Sequence, residues 1–103
     1  MLSSLTVIAS FGDEATADLF HGTESARVRR FPADIRRRAI RKLDMLNAAA
    51  NVADLRAPPS NHLEKLAGDL AGFWSIRVND QWRIIFKWHA HAEATDVQLR
   101  DYH

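Results

Sequence analysis

From Phe73 to Trp88 the chain alternates with a period of two. Trp74, Ile76 and Val78 are separated by Ser75, Arg77 and Asn79, and Trp82, Ile84, Phe86 and Trp88 by Arg83, Ile85 and Lys87. Successive side chains of a β-strand point to opposite faces, so this pattern predicts a hairpin with one apolar face. A three-residue loop of Asn79, Asp80 and Gln81 pairs Val78 with Trp82, Ile76 with Ile84 and Trp74 with Phe86, keeping the large apolar groups together. A two-residue loop mixes arginine with tryptophan on each face, so burial selects the longer turn. The selected register sets Arg77 opposite Arg83. A further strand is expected over Ala94 to Tyr102, with Val97 and Leu99 inward, after a loop around His89-Ala90-His91.

The first half has a different period. Val7 to Phe11 is a short apolar and β-branched run that reads as a strand or the start of one. Asp13 is placed to cap a short helix through about His21, and Gly22 and Ser25 break the pattern. Pro32 opens a second helix, with Asp34 in its first turn, running to about Ala50. At about 100° per residue, Ile35, Ala39, Leu43, Leu46 and Ala50 form an apolar stripe, and Arg37, Arg38 and Arg41 project from the other side. A third helical piece within Ala48 to Leu55 ends before Pro58-Pro59, which with Ser60 and Asn61 marks a loop. The order is an N-terminal strand, two to three helices and a three-stranded antiparallel meander, an α+β pattern. No repeat or linker divides residues 1–103, which read as one domain of ordinary size, able to bury roughly 60 to 70 per cent of its unfolded surface.

Composition adds exclusions. The absence of cysteine removes disulfides and a thiol nucleophile and fits a reducing compartment, so a cytoplasmic location is expected. Leu5 to Ala9 is mostly apolar, yet no basic residue precedes it and Asp13 and Glu14 follow, unlike a signal peptide. No apolar run approaches the roughly 20 residues that span a bilayer, and no membrane contact is expected. The net charge of +1 hides an uneven distribution. Between Arg27 and Lys42 lie eight basic residues and one acid, Asp34, so eight minus one gives +7 within 16 residues. Such a block suits a polyanion or an acidic partner.

The candidate chemistry lies at the other end. Like charges directly opposite on neighbouring strands destabilise a sheet by up to about 1 kcal/mol, so Arg77 and Arg83 invite an anion between them. On spacing alone, a phosphate and a structural carboxylate from Asp96, Asp101 or Glu64 answer that charge equally. The chain closes on Asp101-Tyr102-His103, a carboxylate, a phenol and an imidazole. Metal-free RNA cleavage needs a base for the 2′-hydroxyl proton, an acid for the leaving 5′-oxygen and cations for the phosphorane. Histidine titrates in the useful range, and the neighbouring terminal carboxylate favours its imidazolium. His103 is therefore the leading acid/base candidate, Tyr102 stacks on a base or positions the phosphate, and Asp101 orients His103 or takes the 2′-OH proton. A terminal histidine is otherwise a frayed, solvated residue. His89 and His91 lack a third ligand nearby and do not make a metal site. No cofactor is implied. The three tryptophans belong to the core face by alternation, as packing rather than base-stacking platforms.

This ending, the segment Gly68-Asp69-Leu70-Ala71-Gly72-Phe73-Trp74-Ser75-Ile76-Arg77-Val78-Asn79-Asp80-Gln81-Trp82-Arg83, the opening Ser10-Phe11-x-Asp13-x-x-Thr16-x-x-Leu19-Phe20-x-Gly22, the middle Arg41-Lys42-Leu43 and the run Asp54-Leu55-x-x-Pro58-Pro59-x-Asn61-x-Leu63-Glu64-x-Leu66 occur in that order. Together they resemble HigB toxins of the RelE/ParE superfamily, encoded in bacterial toxin–antitoxin pairs. The resemblance implies a RelE/ParE-like α+β fold and ribosome-dependent mRNA cleavage, with the basic residues of the concave sheet face holding the scissile phosphate. On that face Arg83 is expected to act with His103, Tyr102 and Asp101, and Arg77 and Lys87 to contact RNA. His62, Glu64 and Lys65 lie where HigB-like chains contribute further site residues. The match there departs from the pattern: relatives carry arginine at the position of His62 and lysine at that of Ala67, or a histidine at that of Glu64.

The resemblance also implies a HigA-like helix-turn-helix antitoxin as partner, together with the ribosome and mRNA, and contact with operator DNA only through the antitoxin. Ribosomal RNA and the antitoxin compete as the counter-charge for Arg37, Arg38 and Arg41. Two other readings use the same fold: a ParE-like inhibitor of DNA gyrase that performs no chemistry, and a toxin remnant acting as co-repressor.

Overall fold

The apolar alternation builds the hairpin in the expected register. In the computed structural model, which describes residues 7–102, β2 (Trp74–Arg77) and β3 (Trp82–His89) pair antiparallel. Trp74 lies opposite Phe86, Ile76 opposite Ile84 and Arg77 opposite Arg83. Asn79 holds the reversal, its Oδ1 accepting from the backbone N–H of Gln81 and of Trp82, both at 2.8 Å. β4 (Glu93–Asp101) follows on the far side of β3, with Val97 and Leu99 buried as expected. The sheet has four strands rather than three, in the order β1-β2-β3-β4, because β1 (Glu64–Lys65) pairs with β2. Two residues are too few for any period to register in the sequence.

β4 carries an irregularity that shapes both its edges. Ile85 pairs with Gln98 but Lys87 with Thr95, so one extra residue of β4 faces Phe86, and Asp96 takes a left-handed conformation with φ 54°. This bulge lets Ala94 and Val97, three positions apart, both point into the core. It also interrupts the strand expected over Val7 to Phe11, which instead meets β4 through two isolated parallel bridges, Ile8 with Ala94 and Phe11 with Val97. Between and beyond them side chains take over. Ser10 Oγ accepts from Asp96 N at 2.9 Å, Gln98 Nε2 donates to Asp13 Oδ2 at 3.0 Å, and the buried Thr16 Oγ1 accepts from Leu99 N at 2.9 Å. The N–H groups on the outer edge of β4 are thus satisfied from Ala94 to Leu99.

Asp13 caps α1 (Glu14–His21), accepting from Thr16 N at 2.8 Å, and Gly22 ends it at φ 74°. α3 (Ala33–Ala48) starts after Pro32. Between them stands α2 (Ala26–Arg29), a single turn that the sequence reading treats as a break. Ser25 is its cap, the Oγ accepting from Val28 N at 3.1 Å while donating to Asp18 at 2.9 Å. The Ser25 hydroxyl and then the Arg27 guanidinium hold the Asp18 carboxyl below the usual carboxylate range. The third helical piece is a 3-10 segment, Val52–Arg56, followed by others at Pro59–Asn61 and Gly68–Leu70.

Ile35, Ala39, Leu43 and Leu46 of α3 share one core cluster with Ile76, Val78, Ile84, Phe86, Val97 and Leu99, and the three tryptophans pack at its margin. Ala50 of the expected stripe is exposed and Ala49 is buried instead, because the helix stops at Ala48.

Thr16→Val preserves shape but leaves the Leu99 N–H buried without an acceptor, and should lower unfolding free energy by about 1–3 kcal/mol in urea titrations. A carboxyl held low in the folded state contributes stability above its unfolded pKa and loses it as pH falls through the folded one. Asp18→Asn should therefore show a shallower loss of stability than the parent between neutral pH and about pH 3; an unchanged slope would remove Asp18 from the acid response.

Candidate functional site

The register that buries the tryptophan face places a row of arginines on the other. Arg77 pairs with Arg83, and Arg83 pairs with Arg100 on β4, so three arginines stand in one cross-strand row on three strands. Arg100 escaped the sequence reading, although its alternation with the inward Leu99 was the available signal. Beneath them Ile85 is only 1% exposed and lies outside the core cluster, and its partner Ser75 is fully buried, so the arginine face has a dry floor.

Arg83 is the most constrained of the three, its side chain 12% exposed. Nε donates to Ser75 Oγ at 2.9 Å, and Nη2 donates to the His62 carbonyl at 2.8 Å and lies 3.1 Å from Glu64 Oε1. The guanidinium also sits 5.5 Å from the centroid of the Tyr102 ring. Nη1 makes no hydrogen bond among the described residues. The His62 carbonyl is aimed by a left-handed backbone, φ 44° and ψ 57°, directly after the buried Asn61. Asn61 pins this corner: its amide donates to the carbonyls of Leu55 at 3.1 Å and Ala57 at 3.3 Å, and its Oδ1 accepts from Lys42 Nζ.

His62, Leu63, Glu64, Arg77, Asp80 and Arg83 line one open cleft. Of the expected site residues this gathers Arg77, Arg83 and His62, with Tyr102 against Arg83. The anion between the arginines in the free protein is carboxylate: Glu64 on Arg83, and Asp80 on Arg77. Asp96 instead lies 3.7 Å from Lys87 Nζ, and Asp101 accepts from Gln81 Nε2 at 3.0 Å. Asp101 pairs with Trp82, on the face opposite the arginines, so the carboxylates lining the cleft are those of Glu64 and Asp80. Lys65, paired with Trp74, also faces away, its Nζ 5.7 Å from the Trp74 ring. Lys87 shares the arginine face and lies over the Phe73 ring at 5.2 Å. His103 lies outside the described residues.

The basic helix divides between two clefts. Arg38, Arg41 and Lys42 face the β2–β3 turn across a cleft also lined by Met45, Ser60, Arg77 and Asp80. Arg37 belongs elsewhere, to a groove between the helices lined by Leu19, Val28, Arg36 and the partly exposed Ile40. The three arginines thus do not line one cleft. Burial, and then the charge of Arg38, hold the Lys42 ammonium below the usual lysine range. Among the described residues no group of three or more histidine or acidic side chains is placed to hold a metal, and no helix is long and apolar enough to cross a membrane.

Residues 9–103 match the model of the family described as RelE-like toxin of type II toxin–antitoxin system HigB. The chain belongs to this HigB-like toxin family. It is 48% identical over 65 residues to Toxin HigB-1 of Vibrio cholerae serotype O1, a match covering 63% of this chain and 68% of that protein. It is 46% identical over 59 residues to an uncharacterized protein of Haemophilus influenzae, covering 57% and 58%. A YoeB/ParE toxin structure from Agrobacterium tumefaciens aligns at 20% identity and a TM-score of 0.44 over 91% of this chain and 95% of that one. A HigB-like toxin of a type II pair has an antitoxin partner.

Proposed function

We propose that this HigB-like toxin is a ribosome-dependent mRNA endoribonuclease acting in the cytoplasm, restrained by a HigA-like helix-turn-helix antitoxin through which alone it meets operator DNA. The observation that carries the reading is the Arg77–Arg83 pair on one open face, with the Tyr102 ring against Arg83. The scissile phosphate exchanges with Asp80 on Arg77 and takes the free Nη1 of Arg83. The 2′-hydroxyl loses its proton and its oxygen attacks the adjacent phosphorus. The P–O5′ bond breaks, leaving a 2′,3′-cyclic phosphate and a 5′-hydroxyl whose proton comes from the acid. His103 is that acid. Glu64, held at Arg83, takes the 2′-hydroxyl proton, and Asp101, tied to Gln81, positions the segment that carries Tyr102 and His103. The paired guanidiniums stabilise the phosphorane charge. No step in this scheme calls for a metal or organic cofactor.

Induced expression followed by mapping of transcript 5′ ends tests this directly. Cuts clustered within translated frames are expected for the parent. Arg83→Lys, which keeps the charge but loses the fork, should reduce them by roughly 10²–10³-fold. His103→Ala should relieve growth arrest; arrest as sharp as that of the parent would overturn its role. Inhibition of gyrase supercoiling by the purified chain, without transcript cuts, would replace the nuclease reading with the ParE-like one.

A further inference from the structure

Resting on the RNA-cleaving reading, we propose that the substrate strand crosses the β-strands rather than following them, with flanking phosphates seated on Arg100 at one side and on Arg38 and Arg41 at the other. The row Arg77, Arg83, Arg100 is fixed by consecutive cross-strand pairs, so it runs perpendicular to the chain direction of the sheet. Adjacent strands lie about 4.8 Å apart, which makes the row roughly 10 Å wide at the backbone. Its members differ in charge balance. Asp80 answers Arg77 and Glu64 answers Arg83, whereas Arg100 is exposed and has no carboxylate within ion-pair distance among the described residues. A lone arginine beside another invites an anion from outside.

The opposite end of the row continues without a gap. Arg77 and Asp80 line both the arginine cleft and the cleft of Arg38 and Arg41, so a strand leaving the scissile position over Arg77 enters that second cleft. Neither Arg38 nor Arg41 has an ion-pair partner among the described residues. Asp80 is the one carboxylate lining both clefts, and its side chain is 94% exposed. A path along β3 has no such provision: from Arg83 it meets the buried Ile85 and then Lys87, which already faces Asp96 and Phe73.

Fluorescence anisotropy of the full chain with a non-cleavable 2′-O-methyl single-stranded oligonucleotide, across a salt series, decides the matter. Arg100→Ala and Arg41→Ala should each weaken binding roughly three- to tenfold and flatten the log K against log salt slope by about 0.7. Asp80→Asn, which removes the competing carboxylate, should tighten binding, an effect that damage to the fold would not imitate. Binding that Arg77→Ala weakens but Arg100→Ala and Arg41→Ala leave intact would overturn this path alone. So would a loss confined to Lys87→Ala, which would align the strand with β3. Failure of the parent to bind the oligonucleotide at all would also overturn the path, whereas the ribosome-dependent reading beneath it falls only if transcript mapping shows no cuts.

Discussion

Sliding β2 against β3 by one residue would turn Trp74 and Ile76 out of the core and drive Ser75 and Arg77 into it. Two large apolar groups would be exposed and a guanidinium group buried without a partner, together a penalty of several kcal/mol. Everything on the arginine face inherits its position from avoiding that outcome. Once Ile84 is inside, Arg83 must be outside, and β4, pairing Ile84 with Leu99, must present Arg100 beside it. Packing on one side of the sheet thereby determines the charge pattern on the other.

Holding like charges side by side requires compensation, and the protein supplies it from short local elements rather than from the sheet. The Pro59–Asn61 turn fixes Asn61 and presents the His62 carbonyl, β1 delivers Glu64, and the hairpin turn delivers Asp80. Arg83 is consequently rigid before any ligand arrives, the condition under which a cation lowers the barrier for charge that develops later. Arg77 differs. Its partner is solvent-exposed and in the same turn, an association that is readily exchanged.

The long periodic segments were legible in the sequence: the hairpin register, both principal helices and the inward Val97 and Leu99 follow from alternation or helical spacing alone. What was hidden is short or non-local. α2 is one turn, set off by a serine that reads equally well as a break, and β1 is two residues. The bulge at Asp96 leaves no local signature, yet it splits the N-terminal strand into two bridges. In the site, the facing of Arg77 and Arg83 was readable, whereas the choice of Glu64 over Asp101 was not. Asp101 is next to the candidate residues in sequence but one step out of phase with Arg100, and only the full strand pairing exposes that parity. Arg37, Arg38 and Arg41 likewise share a helix side in projection, but neighbouring elements divide it.

The closure of the β4 edge links residues from opposite ends of the chain: Ser10 meets Asp96 across 86 positions, and Asp13 meets Gln98 across 85. Residues 7–13 therefore lack these hydrogen-bonding mates until β4 is in place, and β4 also supplies the third arginine of the row. One strand thus sets two separate features at once, the anchoring of the N-terminal segment on one side and the completed charge pattern on the other.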